Sequence, residues 1–341
     1  MTLPEVVLSV MWVGVTLYAV FAGADFGAGL WDLLAGGARR GAQPRRLIEH
    51  SIGPVWEANH VWLIFVLVVL WTGFPAAFAA IMSSLYVPLT AAAIGVILRG
   101  AGLAFRKSVT EVGLRRLFGA TFAVSSVVTP FSLGLVAGAV ASGRVPARPD
   151  APAGAIDSWA HPTGFLAGTL AVATCAYLAA TFLAADADRE GLVALARRYR
   201  ALGLVAAAVA GVVALGGIAV LRADAPRLYD GLTGRGLPLV ALSAAAGLAS
   251  LASLLRRRFG LARVAAAGAV VAVVWGWAAA QYPELLVGRL TIAEAAGARA
   301  TLVAMLASLA VGAALFVPAL VALLVMHARG RFEAPPGTPE P

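Results

Sequence analysis

Followed from the N-terminus as runs of apolar against polar positions, the chain breaks into long hydrocarbon-like stretches joined by short polar connections. A helix needs about 20 apolar residues to cross a bilayer. Nine stretches reach about that length: Pro4–Leu34, Ile52–Trp71, Pro75–Leu98, Leu117–Ala141, Pro162–Ala185, Ala201–Leu221, Leu237–Leu255, Leu261–Gln281 and Ala300–Met326. Inside hydrocarbon no water satisfies the backbone N–H and C=O groups, so spans of this kind fold as helices. The pattern predicts an all-α polytopic membrane protein of about nine transmembrane helices. The first and fifth spans run in one direction and both end in acids (Asp25 and Asp32; Asp186 and Asp188), which suggests two four-helix bundles plus one helix. No connection is long enough to fold alone, so a single transmembrane domain is expected over residues 1–329, followed by a disordered cytoplasmic tail over 330–341. The connection Ser142–Ser158, rich in Pro, Ala and Gly, is expected to be irregular.

Charge orients this layout. With nine spans, one side of the membrane receives 19 of the 26 Lys and Arg residues and the other side 7. Cytoplasmic loops carry such an excess, so the N-terminus is expected outside and the C-terminus in the cytoplasm. The formal charge of +9 would point to nucleic acid in a soluble chain, but distributed over loops it reports topology instead. At 61% hydrophobic and 13% charged residues the chain is not a soluble globular domain, where about 25% would be charged. The first residues, MTLPEVVLSV, lack a basic n-region and a small-residue cleavage site, so no removable signal peptide is expected. The single cysteine, Cys175, excludes an internal disulfide and a cysteine-based metal site.

Polar chemistry gathers in the first three spans, as Asp25, Glu57, His60 and Arg99, while spans six to nine hold little beyond Ala, Val, Leu and Gly. An ionisable group at membrane depth costs roughly 3 kcal/mol unless paired or wetted, which makes each such group a candidate for function. Asp25 sits in FAGADFGAGLWD, where glycines let a neighbouring helix approach; it is either an acid tolerated in a packing seam or part of a proton relay. Glu57 and His60 stand three residues apart, on roughly one helix face, and a carboxylate and an imidazole so placed can hand on a proton. The plainer reading is a buried pair that ties two helices together. Arg99 is either a counter-ion for Asp25 or Glu57, or a side chain reaching to the cytoplasmic interface. Asp32, beside the Arg-rich connection, reads as a surface ion pair and stays outside the candidate site. His60 could ligate a haem, but His50, His161 and His327 fall at span ends or in connections and none faces it at membrane depth. The tryptophans read as belt or packing residues.

No phosphate loop, zinc spacing or nucleophile elbow is present. A secondary transporter that couples ions through Asp25 and Glu57 is a rival from a different class, but it usually has a polar, broken helix pair in each half, and the second half has no matching acid. A third reading is a purely structural subunit with inert acids.

The blocks GADFGAG, IGPVWEANHVWLI, FPAAFA, SLYVPL and LRGAGLAFRKS, in this order and spacing, resemble the start of subunit II of the cytochrome bd-type quinol oxidases, and WGWAAAQYPELL resembles a shorter block near the family's C-terminus. The resemblance implies a heterodimeric oxidase of the bacterial plasma membrane that oxidises quinol outside and reduces dioxygen to water. It implies that the haems, b and d or b alone, belong to a partner subunit I, with small accessory subunits, lipid and quinone as further partners and no nucleic acid. This chain would bind no cofactor or metal of its own; it would supply a scaffold and acids lining a proton path from the cytoplasm. Residue by residue, Asp25 matches the acid of the first block, Glu57 the acid after the tryptophan, and Arg99 and Arg106 basic positions of the block closing the third span. Two positions depart from the pattern: the family commonly has Asp at Glu57, and often Gln or Glu at His60.

Overall fold

In a computed structural model the described residues are 1–37, 40–52, 56–109, 111–147 and 156–328; within the helices, the side chains of 52, 56–58, 106–108, 112, 115, 316–317 and 319–328 lie outside the description. The polypeptide is almost entirely helical: α1 (Leu3–Leu33), α2 (Ala42–Ile52), α3 (Trp56–Gly73), α4 (Pro75–Ser84), α5 (Tyr86–Ser108), α6 (Val112–Ala141), α7 (Pro162–Arg189), α8 (Val193–Asp224), α9 (Pro226–Thr233), α10 (Leu237–Leu255), α11 (Phe259–Gln281), α12 (Ile292–Ala295) and α13 (Arg299–Ala328). A short antiparallel hairpin, β1 (Glu284–Leu286) and β2 (Leu290–Thr291), pairs Glu284 with Thr291 and Leu286 with Leu290. Seven helices, α1, α5, α6, α7, α8, α10 and α11, are long and apolar enough to cross a membrane among the described residues.

The second and third expected spans need correcting. Helix α3 does not lead straight into a span starting at Pro75; Asn59–Gly73 and Pro75–Ser84 meet at a bend of 119°. Pro75 has no N–H to continue the ladder, Phe74 leaves helical backbone at φ −137°, and Gly297 N–H donates to the Gly73 carbonyl, fixing the turn. The crossing helix is instead α5, which begins at Tyr86. Arg99 therefore lies in its interior turns and is buried, so the snorkelling alternative is set aside. The same proline logic ends α8 before Pro226, where Ala225 turns the chain into the short α9. The expected tail, 330–341, lies outside the described residues, as does part of the connection Ser142–Ser158.

Helix α1 is the axis of the packing: it contacts α3, α6, α7 and α11 along its length, and α2 and α13 at its flanks. At its N-terminal end, Val7, Phe74, Leu85, Leu286, Ile292 and Leu302 join the α3–α4 bend to the hairpin and α13. At its C-terminal end, Trp31, Leu47, Ile48, Leu183, Tyr199 and Leu254 gather α2, α7, α8 and α10. Just past the end of α1 the backbone carbonyls are met by arginines: Arg198 Nη2 donates to Leu34 O at 3.1 Å, and Arg45 Nη2 donates to Gly36 O at 2.7 Å. Asp32, expected at the surface, is buried against Arg45, with Nε–Oδ1 at 3.0 Å. The outward faces of α8, α10 and α11 carry exposed Val212, Leu215, Leu248 and Val264 without polar relief, as suits helices bathed in hydrocarbon.

Candidate functional site

Small residues make the site possible. On α1 a Cβ at Gly27 would overlap the Cys175 carbonyl, so α7 can come this close only against glycine. Two residues on, a Cβ at Gly29 would overlap Ser126 Oγ and stand 2.8 Å from Arg99 Nη1. Gly29 thus clears the space that a guanidinium from α5 and a hydroxyl from α6 occupy beside Asp25. The GADFGAG run serves both packing and the placement of a buried charge.

Asp25 and Arg99 form an ion pair, Oδ1–Nη2 at 2.6 Å, in which the side chains are 2% and 1% exposed. Nη2 also donates to the Asp25 carbonyl at 2.8 Å, and Nη1 donates to Ser126 Oγ, whose own hydroxyl donates to Phe122 O. The guanidinium lies 4.4 Å from the Phe122 ring centroid and 5.0 Å from that of Phe26, so two aromatic faces share its charge. Arg99 therefore keeps favourable contacts of several kinds besides the carboxylate. Asp25 is served less fully: its Oδ2 is buried with no hydrogen-bond partner among the described residues. A carboxylate oxygen left open at this depth is a place where a proton can be received while the guanidinium stays solvated by its other partners.

Of the residues singled out in the sequence, the structure brings Asp25 and Arg99 together. Glu57 is in the first turn of α3, but its side chain lies outside the described residues, as does that of Arg106 in α5. Its depth can still be read from the backbone, because α1 and α3 run antiparallel in a fixed register. A Cβ at Gly14 would meet Phe65, and Asn59 Nδ2 reaches Phe21 O at 3.4 Å. By that register, residue 57 stands level with Gly23, about half a turn from Asp25 in depth. His60 is half-buried next to Asn59. His50 is exposed beside Glu190, and His161 is spent as the N-cap of α7. Among the described residues no three His, Cys, Asp or Glu side chains form a metal-holding group. Trp12 and Trp277 are packing residues: they meet edge to face at 5.1 Å, and Trp12 Nε1 donates to Val274 O.

A second polar cluster, missed in the sequence, lies near the α6–α7 connection. Asp224 at the end of α8 accepts from Thr163 N at 3.0 Å and Thr163 Oγ1 at 2.6 Å, and it pairs with Arg144. His161 Nδ1 lies 3.3 Å from Asp224 Oδ2 and accepts from Gly164 N at 3.2 Å. Burial, reinforced by the Arg144 charge, pushes the His161 imidazole below its ordinary pKa, against the opposing pull of Asp224. The available signal was an acid ending an apolar span, with an arginine and a Thr flanking the start of the preceding helix.

Taken together, these features define an integral membrane protein with a buried carboxylate–guanidinium pair on its central helix. The family model of cytochrome bd terminal oxidase subunit II matches residues 3–327, and the chain belongs to that family. It is 31% identical over 214 residues to the cytochrome bd-I ubiquinol oxidase subunit 2 of Escherichia coli (strain K12), covering 60% of this chain and 54% of that protein. It is 28% identical over 131 residues to the cytochrome bd ubiquinol oxidase subunit 2 of Bacillus subtilis (strain 168), covering 38% of this chain and 37% of that one. The chain thus aligns with about half the length of the E. coli relative or less in the other case. Its fold is similar to a chain of the bd oxidase from Geobacillus thermodenitrificans, with a TM-score of 0.75 at 26% identity, over 96% of this chain and 99% of that one.

Proposed function

We infer that the chain is subunit II of a cytochrome bd-type terminal quinol oxidase in a bacterial plasma membrane. It supports quinol oxidation coupled to the reduction of dioxygen to water, as a scaffold for subunit I and as part of a proton path from the cytoplasm. The observation that carries this reading is the family match over residues 3–327. In this assembly the haems, b and d or b alone, belong to subunit I and carry electrons from quinol to dioxygen. Small accessory subunits, lipid and quinone are its further partners. The chain has nine spans, an outer N-terminus and a cytoplasmic C-terminus, arranged as four helices, four helices and one. The packing of α5 on α6, α7 on α8 and α10 on α11, and the seat of α13 against α1 and α3, fit that arrangement, while α1 and α6 also pack closely on α7. The transporter reading draws no support from the family.

The work of this chain's residues follows from the open oxygen of Asp25. A proton arriving at Oδ2 neutralises the carboxylate, while Ser126, Phe26, Phe122 and the Asp25 carbonyl continue to hold Arg99. Loss of the proton restores the ion pair, so Asp25 returns to its starting state after each transfer. Glu57, about half a turn from Asp25 in depth, and His60, about one turn further along α3, pass protons on the α3 side.

The test is a reduced-minus-oxidised visible spectrum of the complex drawn from native membranes by a tag on this chain. Haem b signals, with or without haem d, together with quinol oxidase activity are expected. An intact preparation free of haem would overturn the assignment.

A further inference from the structure

Three polar side chains on α1 stand at seven-residue intervals: Tyr18, Asp25 and Asp32. Seven residues fall about 20° short of two full turns, so the three form one stripe with steps of roughly 10.5 Å along the helix. Asp32 lies at the end that holds Arg45, whose side chain is a quarter exposed, and Tyr18 lies near the middle of the 31-residue helix. The stripe therefore runs from the aqueous edge of the bundle to the centre of the span.

Within electrostatic reach of each acid is a phenol whose hydroxyl is buried with no hydrogen-bond partner among the described residues. Tyr18 packs on Ala22, Phe26 and Cys175, meets the Phe26 ring edge to face at 6.4 Å, and is within electrostatic reach of Asp25 and Arg99. Tyr199 is fully buried in the cluster that holds Trp31, the neighbour of Asp32, and is within electrostatic reach of Asp32. Asp25 Oδ2 is likewise without a partner. A buried hydroxyl or carboxylate oxygen left dry costs about 1–3 kcal/mol. Two such atoms on the stripe, and a third on α8 within electrostatic reach of its Asp32 end, are more cheaply explained by internal water, which takes two to four hydrogen bonds from otherwise unsatisfied groups.

We propose that α1 carries a water-bridged proton relay, Asp32–Asp25–Tyr18, whose mouth is Asp32 beside Arg45 and Tyr199. Protons then reach Asp25 through the interior of this subunit as well as from the Glu57 face. Each transfer is an exchange: a water takes a proton from one group and gives one to the next, and the Tyr18 hydroxyl accepts on its oxygen while releasing its own proton to a second internal water, from which it passes to the partner subunit. No electron moves and no net charge accumulates. The proposal rests on the reading that Asp25 handles protons.

The two phenols supply a test that packing alone cannot imitate. Tyr18→Phe and Tyr199→Phe each delete a hydroxyl that has no protein partner, so on a purely structural account each is neutral or stabilising. In the intact oxidase complex, the relay predicts an unchanged or higher thermal midpoint, turnover lowered about threefold to tenfold at saturating quinol and dioxygen, and a larger solvent deuterium isotope effect. Asp32→Asn lowers turnover likewise, and Asp32→Glu restores it. Parental turnover in both phenylalanine variants overturns the relay. If Asp25→Asn alone is impaired in the same series, the proton role of Asp25 stands without it; if Asp25→Asn is also at parental level, both readings fall.

Discussion

Two carboxylate–arginine pairs in this chain look alike in chemical formula and differ in how fully the acid is served. Asp224 at the end of α8 has Arg144, the Thr163 hydroxyl, the Thr163 amide and His161 around it, with both oxygens engaged. Asp25 in the middle of the bundle has Arg99 on one oxygen and nothing among the described residues on the other. The first pair joins the start of α7 to the end of α8 near an aqueous edge, where Arg144 is 39% exposed. The second is sealed from solvent, where an unmet polar atom is most expensive. A fully satisfied acid fits a structural joint, and an acid held by one oxygen fits a group that exchanges a proton.

The largest expected effect separates the two pairs by stability. Arg99→Leu leaves the Asp25 charge buried and unpaired, a loss of about 3–5 kcal/mol, and the subunit is expected to fail to accumulate with its partner. Joining Asp25→Leu to it removes both charges and restores assembly without restoring turnover, as co-purification and oxygen consumption would show. Recovery of turnover in the double variant would assign the inner pair a packing role like that of the outer one.

Asp224→Ala is milder. It forfeits the Thr163 bonds and a half-exposed ion pair, roughly 1–3 kcal/mol, visible as a lower thermal midpoint with turnover per intact complex unchanged. A turnover defect without a stability change would erase the contrast drawn above.

The smallest effect is a pH dependence. Because burial and Arg144 hold the folded-state pKa of His161 below its ordinary 6.5, the imidazole is neutral in the fold and gains its proton more readily when unfolded. The contribution is fully present above that ordinary value and is lost as pH falls, so the thermal midpoint should decline between about pH 7 and pH 5. His161→Asn keeps a capping residue and should flatten the decline; an equal slope in the variant would remove His161 from the account.

Much of this architecture was legible from apolar run lengths alone, because hydrocarbon forces the backbone into helices. The end of α10 at Leu255 falls where the sequence put it. What run length could not register was the bend at Phe74–Pro75, since Pro at the start of an apolar run reads equally well as a first-turn residue of a straight span and as a corner. That error moved Arg99 to a helix end and made snorkelling a fair alternative. The acids were visible as exceptions in apolar sequence, but pairing is a property of three helices at once: Gly29 and Ser126 matter because they stand beside Arg99, and neither carries a local signal. Asp32 read as a surface pair because the Arg-rich connection follows it, and only the fold-back of α2 onto α1 and α7 reveals that it is covered. Asp224 ends α8 and His161 caps the start of α7, and the two meet through the packing of α7 against α8.

The central claim is that Asp25 exchanges a proton during turnover. The direct measurement is the rate of proton uptake from the inner side by the reconstituted complex bearing Asp25→Asn, followed with a pH-sensitive dye during a single burst of dioxygen reduction. Asn keeps the size of the side chain and can still accept from Arg99, so the fold is preserved. Uptake slowed by tenfold or more, with normal haem content and assembly, is the result predicted here; uptake at the parental rate across the pH range would contradict it and leave Asp25 as the packing partner of Arg99.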